Sequence, residues 1–352
     1  MRVNKNNVKN ILVMRLDRLG DIILSVPALR ALRKEFSQAE ITLLVYDNLS
    51  GLTELKKYSD EIIGFKKEDT LKIINKLRKK KFDLAIDLLS KANDMSAVIL
   101  GAVRAKNKLG FDVGMRRLFL NMKFRPDSID LYEVDTSLKM LEKLDIITID
   151  KKLELSFDVK DEEFVKAWLV KNDVKPDDIL VGINPFAGDI LKMWPIEKFA
   201  GLIRLIISKY PVKVILTGSD NEADNIKSAF RDVLGKNVIS SAGELSLNGL
   251  AAMIDRFKML ISGNTGPMHI AIARNTPLLL INGYSSLKRW GPYEGNNIIV
   301  KKDYPCIPCE ISEFKRGKKS ACKDYKCMSE ISIDEVFSGF EKLWREIEMK
   351  RI

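Results

Sequence analysis

Four strand-to-helix junctions carry side chains that can do chemistry, each of a different kind. Asp21 closes the run Arg15-Leu16-Asp17-Arg18-Leu19-Gly20-Asp21. Gly20 permits a tight turn there. Asp21 falls at the start of the next helix, either as its N-cap or as a carboxylate offered to a ligand beyond the strand. In the second half, Asn184-Pro185-Phe186-Ala187-Gly188 precedes Lys192-Met193-Trp194-Pro195. A lysine on such a loop neutralises a diphosphate with help from the helix N-terminus, or is one surface lysine among many. Glu222, just after Thr217-Gly218, is placed to accept hydrogen bonds from ribose hydroxyls, and equally to complement a helix dipole. The fourth junction is Ser262-Gly263-Asn264-Thr265-Gly266-Pro267-Met268-His269. Thr265 suits an N-cap and Pro267 a first turn, while the glycines let backbone approach a ligand, so the segment reads as an anion-binding helix start. His269, the one histidine of the chain, falls on its first turn, where structural and functional roles are evenly weighted.

The elements that must hold these residues repeat one plan. Short apolar runs at 10–16, 40–46, 61–65 and 82–87 read as strands, and 22–36, 70–80 and 92–103 carry apolar residues at helical spacing. The second half has strands at 179–183, 212–217, 237–240, 259–262 and 277–282, with helices at 195–208, 222–234, 246–255 and 267–273. Alternation of this kind gives parallel sheets covered by helices on both faces, hence an α/β chain of two doubly wound domains. A chain of 352 residues suits two such domains. The expected division is 1–158 for the first, 159–177 as a linker, and 178–332 for the second, including a late cysteine-bearing loop. A helix over 333–352 is expected to pack back on the first domain. Open parallel sheets bind ligands beyond the carboxyl ends of their strands, which places the junctions above around a cleft between the two domains.

Several chemistries lack their signatures. No G-x-G-x-x-G follows the first strand and no G-x-x-x-x-G-K-[ST] occurs, which removes the main sequence arguments for nicotinamide, flavin and P-loop enzymes. The 59 Lys and Arg against 48 Asp and Glu give a formal charge of +11. Such an excess points to an anionic ligand or surface. The basic clusters at Lys76–Lys81, Arg116-Arg117 and Lys315-Arg316 have no interleaved aromatics, so nucleic acid is not an expected partner. No run reaches the roughly 18 apolar residues of a membrane span. The apolar stretch 11–14 meets Arg15, Asp17 and Arg18 at once, which is unlike a signal peptide, so a cytoplasmic location is expected.

The motifs together resemble glycosyltransferase family 9, the ADP-heptose:lipopolysaccharide heptosyltransferases and their relatives. The resemblance rests on R-L-D-R-L-G-D-I-I-L-S-V-P-A-L-R-A-L at 15–32, K-M-W-P-I-E-K-F-A at 192–200 and N-T-G-P-M-H-I-A at 264–271, and covers nearly the whole chain. It implies a GT-B fold, two Rossmann-like domains facing across a cleft, with the acceptor on the first and a nucleotide-sugar donor on the second. By resemblance Asp21 is the catalytic base of an inverting transfer, with Arg18 and Gly20 on the acceptor side. Lys192, Asn264, Thr265, Gly266 and His269 then serve the donor phosphates, Glu222 the ribose and Leu245 the base. Heptose from ADP-heptose and a lipopolysaccharide core, an anionic glycolipid at the inner membrane face, are the implied substrates. No cofactor is required, because lysine and helix dipole stabilise the leaving diphosphate. The other reading kept open is a nucleotide-sugar-binding protein without transfer activity, because Asn264 stands where the family commonly has aspartate.

All four cysteines come late, at Cys306, Cys309, Cys322 and Cys327, spaced C-x2-C-x12-C-x4-C. The clustering suits a structural zinc, with four reduced thiols the simpler alternative.

Overall fold

The computed structural model describes residues 3–128, 130–309, 322 and 325–350, so the Lys315-Arg316 cluster lies outside the described residues. The chain forms two compact units, Met1–Glu154 and Leu155–Ile352.

In the first unit, strands β1 (Asn10–Arg15), β2 (Glu40–Tyr46), β3 (Glu61–Phe65), β4 (Phe82–Asp87), β5 (Ala105–Phe111) and β6 (Met122–Phe124) form one parallel sheet in the order β3-β2-β1-β4-β5-β6. The central pair β1 and β4 is buried almost throughout, since helices cover both faces; this is why these strands read as unbroken apolar runs. The helices are α1 (Leu19–Glu35), α2 (Thr70–Arg78), α3 (Asp94–Ala102) and α4 (Glu133–Leu141). Between β1 and β4 the strand order reverses direction. The loops that leave these two strands therefore diverge to opposite faces and leave a crevice at their carboxyl ends.

The second unit opens with α5 (Val159–Lys171) and continues through β7 (Ile179–Asn184), α6 (Ile196–Lys209), β8 (Val212–Leu216), α7 (Ala223–Ala229), β9 (Val238–Ser240) and α8 (Leu247–Ile254). Then follow β10 (Met259–Ser262), α9 (Gly266–Arg274), β11 (Leu278–Asn282), α10 (Leu287–Trp290), β12 (Asn297–Lys301), α11 (Lys326–Ser329) and α12 (Ile333–Met349). The sheet order is β12-β11-β10-β7-β8-β9, with its reversal between β7 and β10.

Two expected segments fall elsewhere. The charged helix expected at 162–171 within a linker forms, from Val159 to Lys171, and it belongs to the second unit. Asp158 and Asp161 form its capping box, Val165, Trp168 and Leu169 are its buried stripe, and Trp168 Nε1 donates to Glu244 Oε2 at 2.7 Å. The C-terminal helix α12, expected to return to the first domain, lies in the core of the second. Phe337, Phe340 and Leu343 pack into that core, with the Phe340 ring edge-on to Tyr210 at 5.1 Å. An amphipathic helix with a capping box (Ser332, Glu335) buries its stripe against the nearest uncovered sheet face, here β11 and β12.

Gly182, in the middle of β7, shows how close that packing is. A Cβ built there would lie 2.1 Å from Cε2 of Phe257. Gly182→Ala is expected to destabilise the second unit by about 1–3 kcal/mol through overpacking. Thermal unfolding checks this: the midpoint should fall by several degrees, and an unchanged midpoint would contradict the packing described.

Candidate functional site

In the first unit the site grows from Arg15, the last residue of β1. Its side chain is fully buried at the β1–β4 reversal. Nη1 donates to the carbonyl oxygen of Leu88 just beyond β4. Nη2 is shared: it lies 3.2 Å from Asp21 Oδ1 and 3.2 Å from Glu133 Oε1, with Asp17 Oδ2 at 4.0 Å. Ser90 Oγ donates to the same Glu133 oxygen at 2.7 Å. Burial alone would depress the Arg15 pKa, but the carboxylates of Asp21, Glu133 and Asp17 outweigh it and raise it. The Asp17 carboxyl is pushed above the usual range by burial and by the Asp21 charge, against the pull of Arg15 and Lys91. A second buried arginine holds the loop after β4 from its other side. Arg116 pairs with Asp87 at 2.7 Å and donates to the carbonyls of Phe111 and Lys91 at 3.2 and 2.7 Å.

Two local expectations change. Asp21 is not the N-cap of α1; Arg18 is, so Asp21 stands in the third helical position and turns its carboxylate to Arg15. Gly20 sits within the first helical turn and not in a tight turn before it. A helix starting three residues early follows from Leu19, which has no turn preference to delay it. Arg18 is exposed, its backbone N–H donating to Asp17 Oδ1 at 3.0 Å.

In the second unit the β7–β10 reversal gathers most of the expected donor residues. Lys192 ends a short 3-10 turn, Ile190–Lys192, whose N-cap Asp189 accepts from Leu191 N–H at 3.0 Å and from the Tyr284 hydroxyl at 2.6 Å. The Lys192 ammonium lies 5.6 Å from the centroid of the Tyr284 ring. Gly263 keeps this approach close: a Cβ there would sit 3.2 Å from the Lys192 carbonyl oxygen, and the loop would have to give by a few tenths of an ångström. The loop is pinned from below by Trp194, which is 1% exposed and donates from Nε1 to the Ile331 carbonyl at 3.0 Å.

Thr265 is the N-cap of α9 as expected, but its hydroxyl lies 3.1 Å from that of Ser262 and does not cap the helix. The side chain of Thr265 therefore leaves the N-terminus of α9 uncapped. His269 is buried behind it. Asn264 is buried too, its Nδ2 3.4 Å from Asn282 Oδ1, while Asn282 Nδ2 donates to the carbonyls of Gly283 and Ser285 at 3.2 and 3.1 Å. With its own donor committed, the Asn282 oxygen needs a donor opposite it. An asparagine at 264 supplies one; an aspartate would not.

Glu222 closes a capping box with Ser219, accepting from its N–H at 2.7 Å and its hydroxyl at 2.9 Å through Oε2. The helix-end role is thus realised, and Oε1 is the oxygen left for a ligand. Leu245 is half-buried ahead of α8, whose N-cap Ser246 accepts from Gly249 N–H at 2.9 Å. Cys309 and Cys327 are buried beside Tyr284 and Gly283, with Cys306 and Cys322 exposed. Among the described residues no group of three or more His, Cys, Asp or Glu side chains is arranged to hold a metal ion.

Glu133, Ser90, Asn282 and Tyr284 were not legible beforehand. Each is an ordinary polar residue in sequence, and only the fold brings it to a strand end.

The model of glycosyltransferase family 9 (heptosyltransferase) matches residues 70–319. The chain belongs to glycosyltransferase family 9. It is 25% identical over 95% of its length to the lipopolysaccharide core heptosyltransferase OpsX of Haemophilus influenzae, covering 97% of that protein. Among solved structures it is similar to a family 9 glycosyltransferase from Veillonella parvula (TM-score 0.80, 24% identity, 96% of this chain and 97% of that one). It is also similar to the E. coli ADP-heptose lps heptosyltransferase II (TM-score 0.78, 18% identity, 97% and 100%). The family places both sheets in the GT-B fold expected from sequence.

Trp194, within the family motif that carries Lys192, gives a direct test of how that loop is held. Trp194→Ala should cost about 3–5 kcal/mol of stability. Trp194→Phe should cost only about 1 kcal/mol, since Ile331 O still accepts from Lys198 at 2.8 Å. Denaturant unfolding ranks the two, and equal losses would contradict the anchoring role of the ring.

Proposed function

We propose that this family 9 enzyme is an inverting heptosyltransferase that moves heptose from ADP-heptose to a lipopolysaccharide core, with Asp21 as general base. The observation that carries the reading is the Asp21 carboxylate held 3.2 Å from buried Arg15 at the first sheet's reversal. The relatives' names supply the substrate class: a lipopolysaccharide core heptosyltransferase and an ADP-heptose enzyme. No helix among the described residues is long and apolar enough to cross a membrane, so a peripheral enzyme acting on a membrane-held acceptor is consistent with the chain.

In this reading the acceptor hydroxyl gives its proton to Asp21 as its oxygen bonds to the anomeric carbon. The bond from that carbon to the diphosphate oxygen breaks, and the electron pair leaves with ADP. Negative charge grows on the diphosphate, where Lys192 and the N–H groups at Gly266 act as fixed donors. His269, buried behind the helix start, supports that turn. Glu222 Oε1 accepts from the ribose and Leu245 packs on the base. Asn264 serves as a neutral brace through Asn282, so the Lys192 charge is spent on the donor and not on an aspartate.

Asp21→Asn is expected to lower transfer by about 10²–10⁴-fold, the usual contribution of a general base. ADP binding should survive. At one hundred times its dissociation constant ADP stabilises by about 2.7 kcal/mol, visible as a thermal shift in both wild type and variant. Full transfer by Asp21→Asn would remove Asp21 as base, and a larger shift with UDP or GDP than with ADP would remove the donor assignment.

A further inference from the structure

The Asp21 carboxylate does not have Arg15 to itself. One nitrogen, Nη2, faces Asp21 Oδ1 and Glu133 Oε1 at the same 3.2 Å, and Glu133 is fully buried. Glu133 opens α4, and Ser90, from the loop after β4, donates to the same Glu133 oxygen at 2.7 Å. The arginine is fixed at its other end by the Leu88 carbonyl. A buried carboxylate this far from solvent persists only when paired. If Arg15 served structure alone, one carboxylate would suffice to neutralise it; the site holds three.

We propose that Glu133 is a positioning residue for Asp21, fixing its orientation through Arg15 and dividing the Arg15 charge so that Asp21 does not take all of it. The inference rests on the reading of Asp21 as base and deepens it. A base paired one-to-one with a buried guanidinium is a poor proton acceptor, because an opposite charge at this range lowers a carboxyl pKa by about 1–3 units. Sharing the guanidinium with Glu133 relieves that penalty while keeping the hydrogen bond that aims Asp21. The charged groups around Asp21 are Arg15 from β1, Asp17 and Arg18 from the turn, Lys91 from the loop after β4 and Glu133 from α4. Asp17 acts in the same direction as Glu133, by repulsion, and Lys91 partly offsets Asp17.

Glu133→Gln tests this, because glutamine keeps an oxygen for Arg15 and Ser90 and removes only the charge. In the full chain labelled with ¹³C at aspartate carboxyls, the signal missing from Asp21→Asn identifies Asp21. Its titration midpoint is expected to fall by about one pH unit in Glu133→Gln, the effect of one lost neighbouring charge. The acid limb of kcat for transfer from ADP-heptose should move down with it, with KM for ADP-heptose unchanged. Glu133→Asp, which retains the buried charge but withdraws it, should shift the midpoint the same way by less, and serves if the glutamine variant does not fold. A midpoint at the wild-type position in either folded variant overturns the inference, whatever happens to stability. A shifted midpoint together with full transfer by Asp21→Asn would leave the sharing of Arg15 standing and remove the base.

Discussion

Everything at the first unit's strand reversal depends on a positive charge placed where water cannot reach it. Arg15 ends a strand buried on every side, and the desolvation cost of its guanidinium amounts to several kcal/mol. That cost is met only if its donors are matched by carboxylates and a carbonyl in fixed positions. The matching residues come from four different places: the turn after β1, the first turn of α1, the loop after β4 and the start of α4. One ion pair network therefore ties together the pieces that diverge at the sheet's reversal. Arg116 repeats the device on the far side of the loop after β4, so residues 87–91 are gripped between two buried arginines. A carboxylate held in such a frame meets the demand that catalytic groups be set before substrate arrives.

The second unit solves the complementary problem with little buried charge. At its reversal the fixed groups are amides and hydroxyls: Asn264 against Asn282, Thr217 Oγ1 against Asn184 Oδ1 at 3.2 Å, and Ser262 against Thr265. Positive potential is left to Lys192 and to the N-terminus of α9, which suits a ligand that brings its own negative charge. The two units thus carry opposite electrostatic designs. One gathers carboxylates around a buried guanidinium; the other joins neutral amides and hydroxyls beside a lysine and a helix start.

How much of this could be read from sequence follows from the kind of signal each part leaves. Central strands such as β1 and β10 are apolar runs bounded by turn residues, and they were legible to within about one residue. β5 was not, because Ala105-Lys106-Asn107-Lys108 interrupts its apolar pattern near the sheet edge. The helix within 159–177 was legible as a charged helix over 162–171, but not its membership of the second unit, which shows only in the burial of Val165, Trp168 and Leu169 and the bond from Trp168 to Glu244. At the sites, Asp21, Lys192 and Asn264 to Gly266 sit in local motifs on the connections that follow β1, β7 and β10, as the alternation of elements predicts. Residues that reach those points from remote sequence were invisible. Glu133 is 118 positions from Arg15, and Asn282 is 18 from Asn264. The local meaning of Asp21 also needed the fold, since a carboxylate at a helix start is an N-cap until its partner is seen.

A single displacement with Asp21 as base and no covalent sugar intermediate has one stereochemical consequence. The configuration at the anomeric carbon of the transferred heptose can be read by proton NMR from its one-bond carbon–hydrogen coupling, in ADP-heptose and in the freshly formed product. Inversion is the result that the account predicts. Retention would contradict it, because it would require two displacements through a covalent sugar intermediate in place of one.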